Sequence, residues 1–231
     1  MKNKLKYIVS IFLSICLSLC SSPVVPSEKD LESESELSRV IQKIKAKEET
    51  LQTFTARFVQ TKRTYLLQEP LHSEGLIYFD SKGKMLWKVT TPSRLEVLLK
   101  DNMLIIHYPD LSESEERRLG RTDRILKKYF GIGQSIEELR KQYEIHLMPI
   151  KDSEDYHLKL IPKRKAIAKH IDAIEVVVDS EHWLPERIYF KEVKGDFTSL
   201  VLQFTSVNEP LPPDIFAVDH VENRDDDLHP N

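Results

Sequence analysis

Apolar positions follow a helical period along residues 37–54. They recur at spacings of three, four and seven residues: Leu37, Val40, Ile41, Ile44, Leu51 and Phe54. Lysines and Glu48 occupy the opposite side, so the pattern predicts an amphipathic helix that covers a core. Residues 27–36 before it form a polar leader, in which Ser33 and Glu36 have the spacing of a capping box.

At Phe54 the apolar period changes to two, which is typical of a β-strand. Further strands are predicted at 71–80, 84–90, 95–99, 103–108, 144–149, 156–162, 171–179, 185–193 and 198–208. Turns rich in Gly, Pro, Asn and Asp separate them, so we expect an antiparallel meander of about nine or ten strands. Residues 110–122 are charged and lack apolar periodicity, which fits either a loop or an extended edge.

Two short helices are predicted in the middle of the chain. Asp123 has the position of an N-cap for a segment that ends at Phe130 before Gly131. Ser135 is a second N-cap residue, for a helix from Ile136 to Tyr143 with acidic residues in its first turn.

Several predicted strands are apolar on both faces, notably within 76–79, 85–89, 97–99 and 104–106. One face can pack on the core, whereas the other needs a cover or a ligand. An open or curved sheet around an apolar cavity, covered by the predicted helices, meets both needs. An ordinary core filled by side chains fits the periodicity equally well. The fold class is mainly β with helices in either case.

The beginning of the chain has the features of a secretory signal. Lys2, Lys4 and Lys6 precede an apolar run over 7–19, which is shorter than the roughly 20 residues of a membrane-spanning helix. We therefore expect a cleaved signal peptide that directs export, and residues 1–26, the signal and its exit segment, are excluded from the folded domain. Cys20 is either a small residue of an ordinary cleavage site or a lipid-attachment site, and Leu19 before it favours cleavage.

Charge and length narrow the class of the mature protein. Loss of the three signal lysines leaves 31 basic against 37 acidic side chains, so the net charge falls from −3 to −6. Such a chain is not suited to coating nucleic acid. The remaining residues are enough for one domain, assigned to 37–220, and the acidic residues 221–231 are predicted to be a disordered tail.

Catalytic and metal-binding patterns are missing from the sequence. The eight histidines form no HxH, HExxH or H-x3-H pair, and the six glycines form no nucleophile elbow. Both cysteines, Cys16 and Cys20, fall in the signal, so the mature domain has no disulfide once the signal is removed. We expect a binding protein without a metal or cofactor, not an enzyme.

A set of residues in a particular order resembles the outer-membrane lipoprotein carrier (LolA) family of the LolA/LolB-like superfamily. The set is Phe58-Val59-Gln60, Gly75, Trp87, Pro92, Asp101-Asn102, Tyr108-Pro109-Asp110, Leu158-Lys159-Leu160-Ile161-Pro162, Gly195-Asp196-Phe197-Thr198, Asn208 and Phe216. The resemblance extends over residues 37–220. It implies an incomplete, unclosed antiparallel β-barrel, with an N-terminal helix and central helices covering an apolar cavity.

The resemblance also implies a function. Family members are monomeric carriers in the periplasm of diderm bacteria, which take acylated lipoproteins from an inner-membrane ABC-type complex to an outer-membrane acceptor. Two alternatives remain open. If Cys20 is lipidated, the same fold would be an anchored acceptor or a lipid-binding lipoprotein. Similar barrels also serve as envelope-stress regulators.

Site residues follow from the same resemblance. The cavity residues are Phe58, Leu76, Tyr78, Met85, Trp87, Leu98 and Ile106. The lid residues are Leu37, Ile41, Ile44, Leu126 and Phe130. Met85 and Trp87 take the place of aromatic residues on the family's cavity-side strand, although both fit a filled core as well. The family's lid-controlling arginine falls on Ser81, with Lys82 and Lys84 beside it.

Overall fold

The computed structural model describes residues 28–119, 135–149 and 153–217. The chain divides into two compact units, residues 1–35 and 36–231. In the first unit the described residues, 28–35, are helical. The signal, with Cys20, and the predicted helix from Asp123 to Phe130, with Leu126, lie outside the described residues, as does the tail.

Three helices occur in the described chain: α1 (Glu28–Thr50), α2 (Ile136–Gln142) and α3 (Lys165–Ala168). Because α1 begins at Glu28, Ser33 and Glu36 lie inside the helix, and the predicted capping box is wrong. Glutamate, lysine and leucine have high helix propensity, which lets the polar leader extend the amphipathic segment. The cap of α2 is confirmed, since Ser135 Oγ accepts a hydrogen bond from the Glu138 N–H at 3.2 Å.

Eleven strands form one antiparallel sheet. They are β1 (Thr53–Arg63), β2 (Leu71–Asp80), β3 (Lys84–Thr91), β4 (Leu95–Lys100), β5 (Met103–Tyr108), β6 (Glu113–Arg118), β7 (Tyr143–Met148), β8 (Tyr156–Pro162), β9 (Ile171–Val178), β10 (Pro185–Glu192) and β11 (Phe197–Val207). The order is β6-β5-β4-β3-β2-β1-β11-β10-β9-β8-β7. No ladder in the described chain joins β6 to β7, so the sheet is unclosed, as predicted.

The eleventh strand, β6, is the charged segment that the sequence left open between a loop and an edge. All six of its residues are exposed, and it pairs only with β5 among the described strands. Charged side chains at a sheet edge discourage pairing with another chain, which explains its composition.

One face of the sheet packs against α1 and α2, and we call it the helix-covered face. Its cluster contains Val40 and Ile41 of α1, Ile136 of α2, and residues of β1–β3 and β7–β11. In that cluster the rings of Phe58 and Trp87 lie 4.8 Å apart. We call the opposite side the outer face.

Two residues of the family-like set position these elements. Asn208, at a positive φ of 61°, accepts a hydrogen bond from the Gln52 N–H at 2.7 Å and donates one to the Thr50 carbonyl at 2.9 Å. It therefore joins the end of α1 to the end of β11. A Cβ at Gly75 would lie 1.9 Å from the Lys88 carbonyl oxygen, so only glycine permits β2 and β3 to approach this closely.

Candidate functional site

The two halves of the helix-covered face differ in burial. Strands β8–β10 contribute buried side chains, such as Leu158, Leu160 and Ile188. On the same face, β3–β5 contribute the buried Trp87 and Leu104 and also apolar side chains that are only half-buried, among them Met85, Val89, Val97, Leu99 and Ile106. We call these five the β3–β5 surface. Apolar side chains that the domain leaves incompletely covered are the type of lining that receives an apolar ligand.

The register of the strands separates the predicted cavity residues into two groups. Ile77 is paired with Trp87, while the next residue, Tyr78, is paired with Leu86. Since side chains alternate between faces, four predicted residues lie on the helix-covered face: Phe58, Met85, Trp87 and Ile106. Three lie on the outer face: Leu76, Tyr78 and Leu98. These seven do not line one surface.

Within the first group, burial distinguishes two kinds of position. Phe58 and Trp87 are buried against each other. Met85 and Ile106 are half-buried. The aromatic pair is therefore part of the core, whereas Met85 and Ile106 keep part of their surface exposed.

The predicted lid residues that the structure describes, Leu37, Ile41 and Ile44, belong to α1. Ile41 is buried in the core. Leu37 and Ile44 are partly buried and pack against the same cluster. From α2, Ile136 is buried in the same cluster and Leu139 packs against it. The two helices thus cover the sheet with apolar side chains.

Glu48 connects these two helices. Both of its carboxylate oxygens lie within hydrogen-bond distance of the Ile136 N–H, at 3.0 and 3.1 Å. Burial raises the pKa of Glu48 from 4.5 to about 7, and the contact with the Ile136 N–H partly opposes this shift. An exposed ion pair between Lys45 and Glu137, at 3.9 Å, lies beside it. We call the contact between Glu48 and the Ile136 N–H the latch.

The sequence did not identify the latch, because the helical pattern assigns Glu48 to the polar side of α1. A helix N-terminus favours a carboxylate, and Ser135 marks where α2 begins. The partner is 88 residues away, however, and only the tertiary structure brings the two together.

Ser81, at the position of the family's arginine, lies exposed in the turn between β2 and β3. Its N–H donates to the Gln52 carbonyl at 2.7 Å, which joins that turn to the start of β1. Lys84 points toward Phe216, with its Nζ 5.8 Å from the ring centroid. In the described structure the polar contacts between α1 and α2 come from Glu48 and from the Lys45–Glu137 pair.

The outer face has its own apolar cluster. Leu86, Leu98 and Ile105 are buried there with Tyr78, Ile215 and Phe216 packed against them. A cleft of about 360 Å³ lies beside the C-terminal segment 211–217. It is lined by that segment and by Asp80, Lys84 and Lys100. The C-terminal segment therefore supplies a cover for strands that are apolar on both faces.

A second cleft, of about 470 Å³, opens on the outer face around Gly75. Its lining is mixed and includes Arg57, Glu74, Leu76, Thr90, Val201 and Gln203. Charged and polar side chains interrupt its apolar part, unlike the β3–β5 surface.

The described residues contain no group of three or more side chains arranged to hold a metal ion. Among the helices within these same ranges, none is long and apolar enough to cross a membrane.

Comparison with known proteins places this geometry in context. A family model described as outer membrane lipoprotein carrier protein LolA matches residues 49–219. An outer-membrane lipoprotein carrier protein of Hahella chejuensis is 21% identical over 170 residues, which cover 72% of this chain and 77% of that protein. The family match includes all eleven strands and α2.

Solved structures with a similar fold have low sequence identity. A LolA superfamily protein from Nitrosomonas europaea is 13% identical, with a TM-score of 0.42 over 78% of this chain and 99% of that one. MucB in the MucA/MucB complex of Pseudomonas aeruginosa is 14% identical, with a TM-score of 0.47 over 81% of this chain and 61% of that one. The lipoprotein LppX of Mycobacterium tuberculosis is 11% identical, with a TM-score of 0.44 over 78% of this chain and 99% of that one.

Proposed function

Because the chain belongs to the LolA family of outer-membrane lipoprotein carrier proteins, we propose that it is a periplasmic carrier of acylated lipoproteins. In this proposal the acyl chains bind the β3–β5 surface beneath α1 and α2. The observation that carries it is the apolar, half-buried state of Met85, Val97 and Ile106 inside a domain of this family.

The chemistry of the cargo accounts for such a surface. Each buried methylene of an acyl chain is worth about 0.8 kcal/mol, so a lipoprotein does not leave its membrane without an apolar replacement. A carrier must also release its cargo. The helices that partly cover the β3–β5 surface compete with the acyl chain for it. This competition limits the affinity for the acyl chain and so permits its transfer.

The latch gives the helices a defined closed position. One N–H group joins Glu48 to α2, and the exposed Lys45–Glu137 ion pair lies beside it, so cargo entry has few polar contacts between the two helices to break. We propose that α2 moves away from α1 when an acyl chain enters and that the latch forms again after release.

The proposed partners follow from family membership. They are an inner-membrane ABC-type complex that supplies the lipoprotein and an outer-membrane acceptor that receives it. Residues 1–26 would export the chain, which would then act as a monomer without catalysis.

Release of a labelled lipoprotein from spheroplasts tests the proposal. The purified protein should bring the acylated lipoprotein into solution, and Met85→Glu should abolish release while the fold remains cooperative, because a charge enters the acyl site. Val59→Glu is the matched control, since Val59 is exposed on the outer face. Failure of the unchanged protein to release any lipoprotein contradicts the proposal.

A second candidate function rests on Cys20, at the end of the signal. If that thiol is acylated, the domain is an anchored acceptor. Mass spectrometry of the mature N-terminus separates the two, because an acylated Cys20 carries the mass of its lipid and a carrier cut after Cys20 begins at Ser21.

A further inference from the structure

The turn between β1 and β2 exposes a run of large apolar side chains, and we call residues 64–71 the hairpin tip. Exposed fractions are 68% for Tyr65, 74% for Leu66, 46% for Leu67 and 54% for Leu71. The Tyr65 N–H donates to Asp196 Oδ1 at 3.0 Å, so the turn between β10 and β11 holds the tip. The tip therefore contacts the β10–β11 turn at this end of the sheet.

Neighbouring connections extend this surface. In the β10–β11 turn Val193 is 55% exposed, and its N–H donates to the His170 carbonyl at 3.1 Å. The tip, this turn and the segment 163–170 between β8 and β9 thus adjoin one another at the same end of the sheet. Five apolar side chains are exposed there.

Charge at this end is opposite in sign to that of the chain. Within 63–71, 163–170 and 192–196, the basic side chains are Arg63, Lys163, Arg164, Lys165, Lys169 and Lys194, all exposed. The acidic ones are Glu69, Glu192 and Asp196, of which Asp196 already bonds the tip. The whole chain has a net charge of −3, so the positive excess is local.

We propose that this end of the domain docks reversibly on an anionic lipid bilayer. Tyr65, Leu66 and Leu67 would enter the interfacial layer, and the basic side chains would contact lipid phosphates. Tyrosine favours the membrane interface, and an apolar group ringed by lysine and arginine fits an anionic surface better than a neutral one. The apolar side chains project from a turn and do not line a groove, so they fit a planar surface better than a peptide.

This inference stands apart from cargo binding, because the tip shares no residue with the β3–β5 surface. It adds a contact by which the domain would meet a membrane directly at loading or delivery.

Sedimentation with vesicles tests the proposal on the mature protein without its signal, because the lysines and the apolar run within residues 1–19 would themselves bind anionic vesicles. The protein should bind phosphatidylcholine vesicles that contain phosphatidylglycerol, and should bind pure phosphatidylcholine vesicles far less. The double variant Leu66→Ser with Leu67→Ser should lower the bound fraction about tenfold, whereas Val59→Ser, on the exposed outer face, should not. Acyl-chain binding should be equal in all three proteins, which separates this proposal from the carrier function.

Charge reversal supplies the second arm. Arg164→Glu with Lys165→Glu should reduce binding to anionic vesicles, while the same change in net charge at Lys43 and Lys82, away from this end, should not. Equal binding by the tip variant and its control, or no binding of the unchanged protein to anionic vesicles, overturns the proposal. So does a concentration-dependent dimer in sedimentation velocity that the tip variant loses, because the tip would then be a surface between two copies of the chain.

Discussion

The Glu48 side chain of α1 is partly buried and contacts the start of α2. Its pKa rises from 4.5 to about 7, mainly through desolvation, so the folded domain favours the protonated carboxyl group. The stability from this shift is present below pH 4.5 and is lost as the pH rises through 7. Because the group is only partly buried, we expect a loss of about 1–2 kcal/mol in the free energy of unfolding.

Urea unfolding at pH 5 and pH 8 measures this effect. In Glu48→Gln the difference in the free energy of unfolding between pH 5 and pH 8 should shrink by about 1–2 kcal/mol. The reason is that the amide oxygen accepts a hydrogen bond from the Ile136 N–H but does not titrate. Glu36→Gln is the control on the same helix, and Glu36 is exposed. An unchanged pH dependence in Glu48→Gln contradicts this role.

Gly75 is a steric requirement of the sheet. A Cβ there meets the Lys88 carbonyl oxygen at 1.9 Å and Phe58 at 3.0 Å, so the strands must separate. Gly75→Ala should destabilise the domain by about 2–4 kcal/mol in urea unfolding. Ser73→Ala on the same strand is the control, and equal midpoints for the two variants refute the steric explanation.

Helices and strands that depend on local sequence signals could be predicted, whereas those that depend on distant partners could not. The N-cap at Ser135 needs only its own turn, so the start of α2 is predicted correctly. Strand β6 has no apolar period, so its sequence does not predict a strand. Its pairing with β5 at the edge of the sheet defines it. The one-turn helix α3 has no side-chain cap that a sequence pattern would reveal.

The cavity prediction shows the same limit. Strands β2–β5 are apolar on both faces, so alternation alone does not tell which face the helices cover. The predicted set consequently drew Met85 from one face and Tyr78 from the other. The cover of the outer face comes from Ile215 and Phe216, more than a hundred residues further along the chain.

The C-terminal segment 211–217 is therefore expected to behave as part of the fold. Phe216→Ala should lower the free energy of unfolding by about 1–2 kcal/mol, because the ring packs on the outer cluster and lies near Lys84 Nζ. It should also speed proteolysis within this segment. Pro213→Ala, at an exposed position, is the control. Equal proteolysis of both variants contradicts a packed segment.

For the domain as a unit, the fold follows from an imbalance between sheet and helix. Eleven strands form the sheet, and of the three described helices α1 and α2 contribute buried residues to one of its faces. The domain buries β8–β10 under its own side chains, closes part of the outer face with its C-terminal segment, and leaves the β3–β5 surface half-covered. The carrier function that we propose would use that remaining surface for cargo.

The claim that cargo binds the β3–β5 surface is tested most directly by photo-crosslinking. An acylated lipoprotein is crosslinked to single positions of the protein. A benzophenone side chain is placed at Ile106 on the helix-covered face or, as the matched position, at Leu76 in the cleft of the outer face. Mass spectrometry should find the acyl chain attached at position 106 and not at position 76. Attachment at position 76 with none at 106 would show that cargo binds the outer face and would contradict the account.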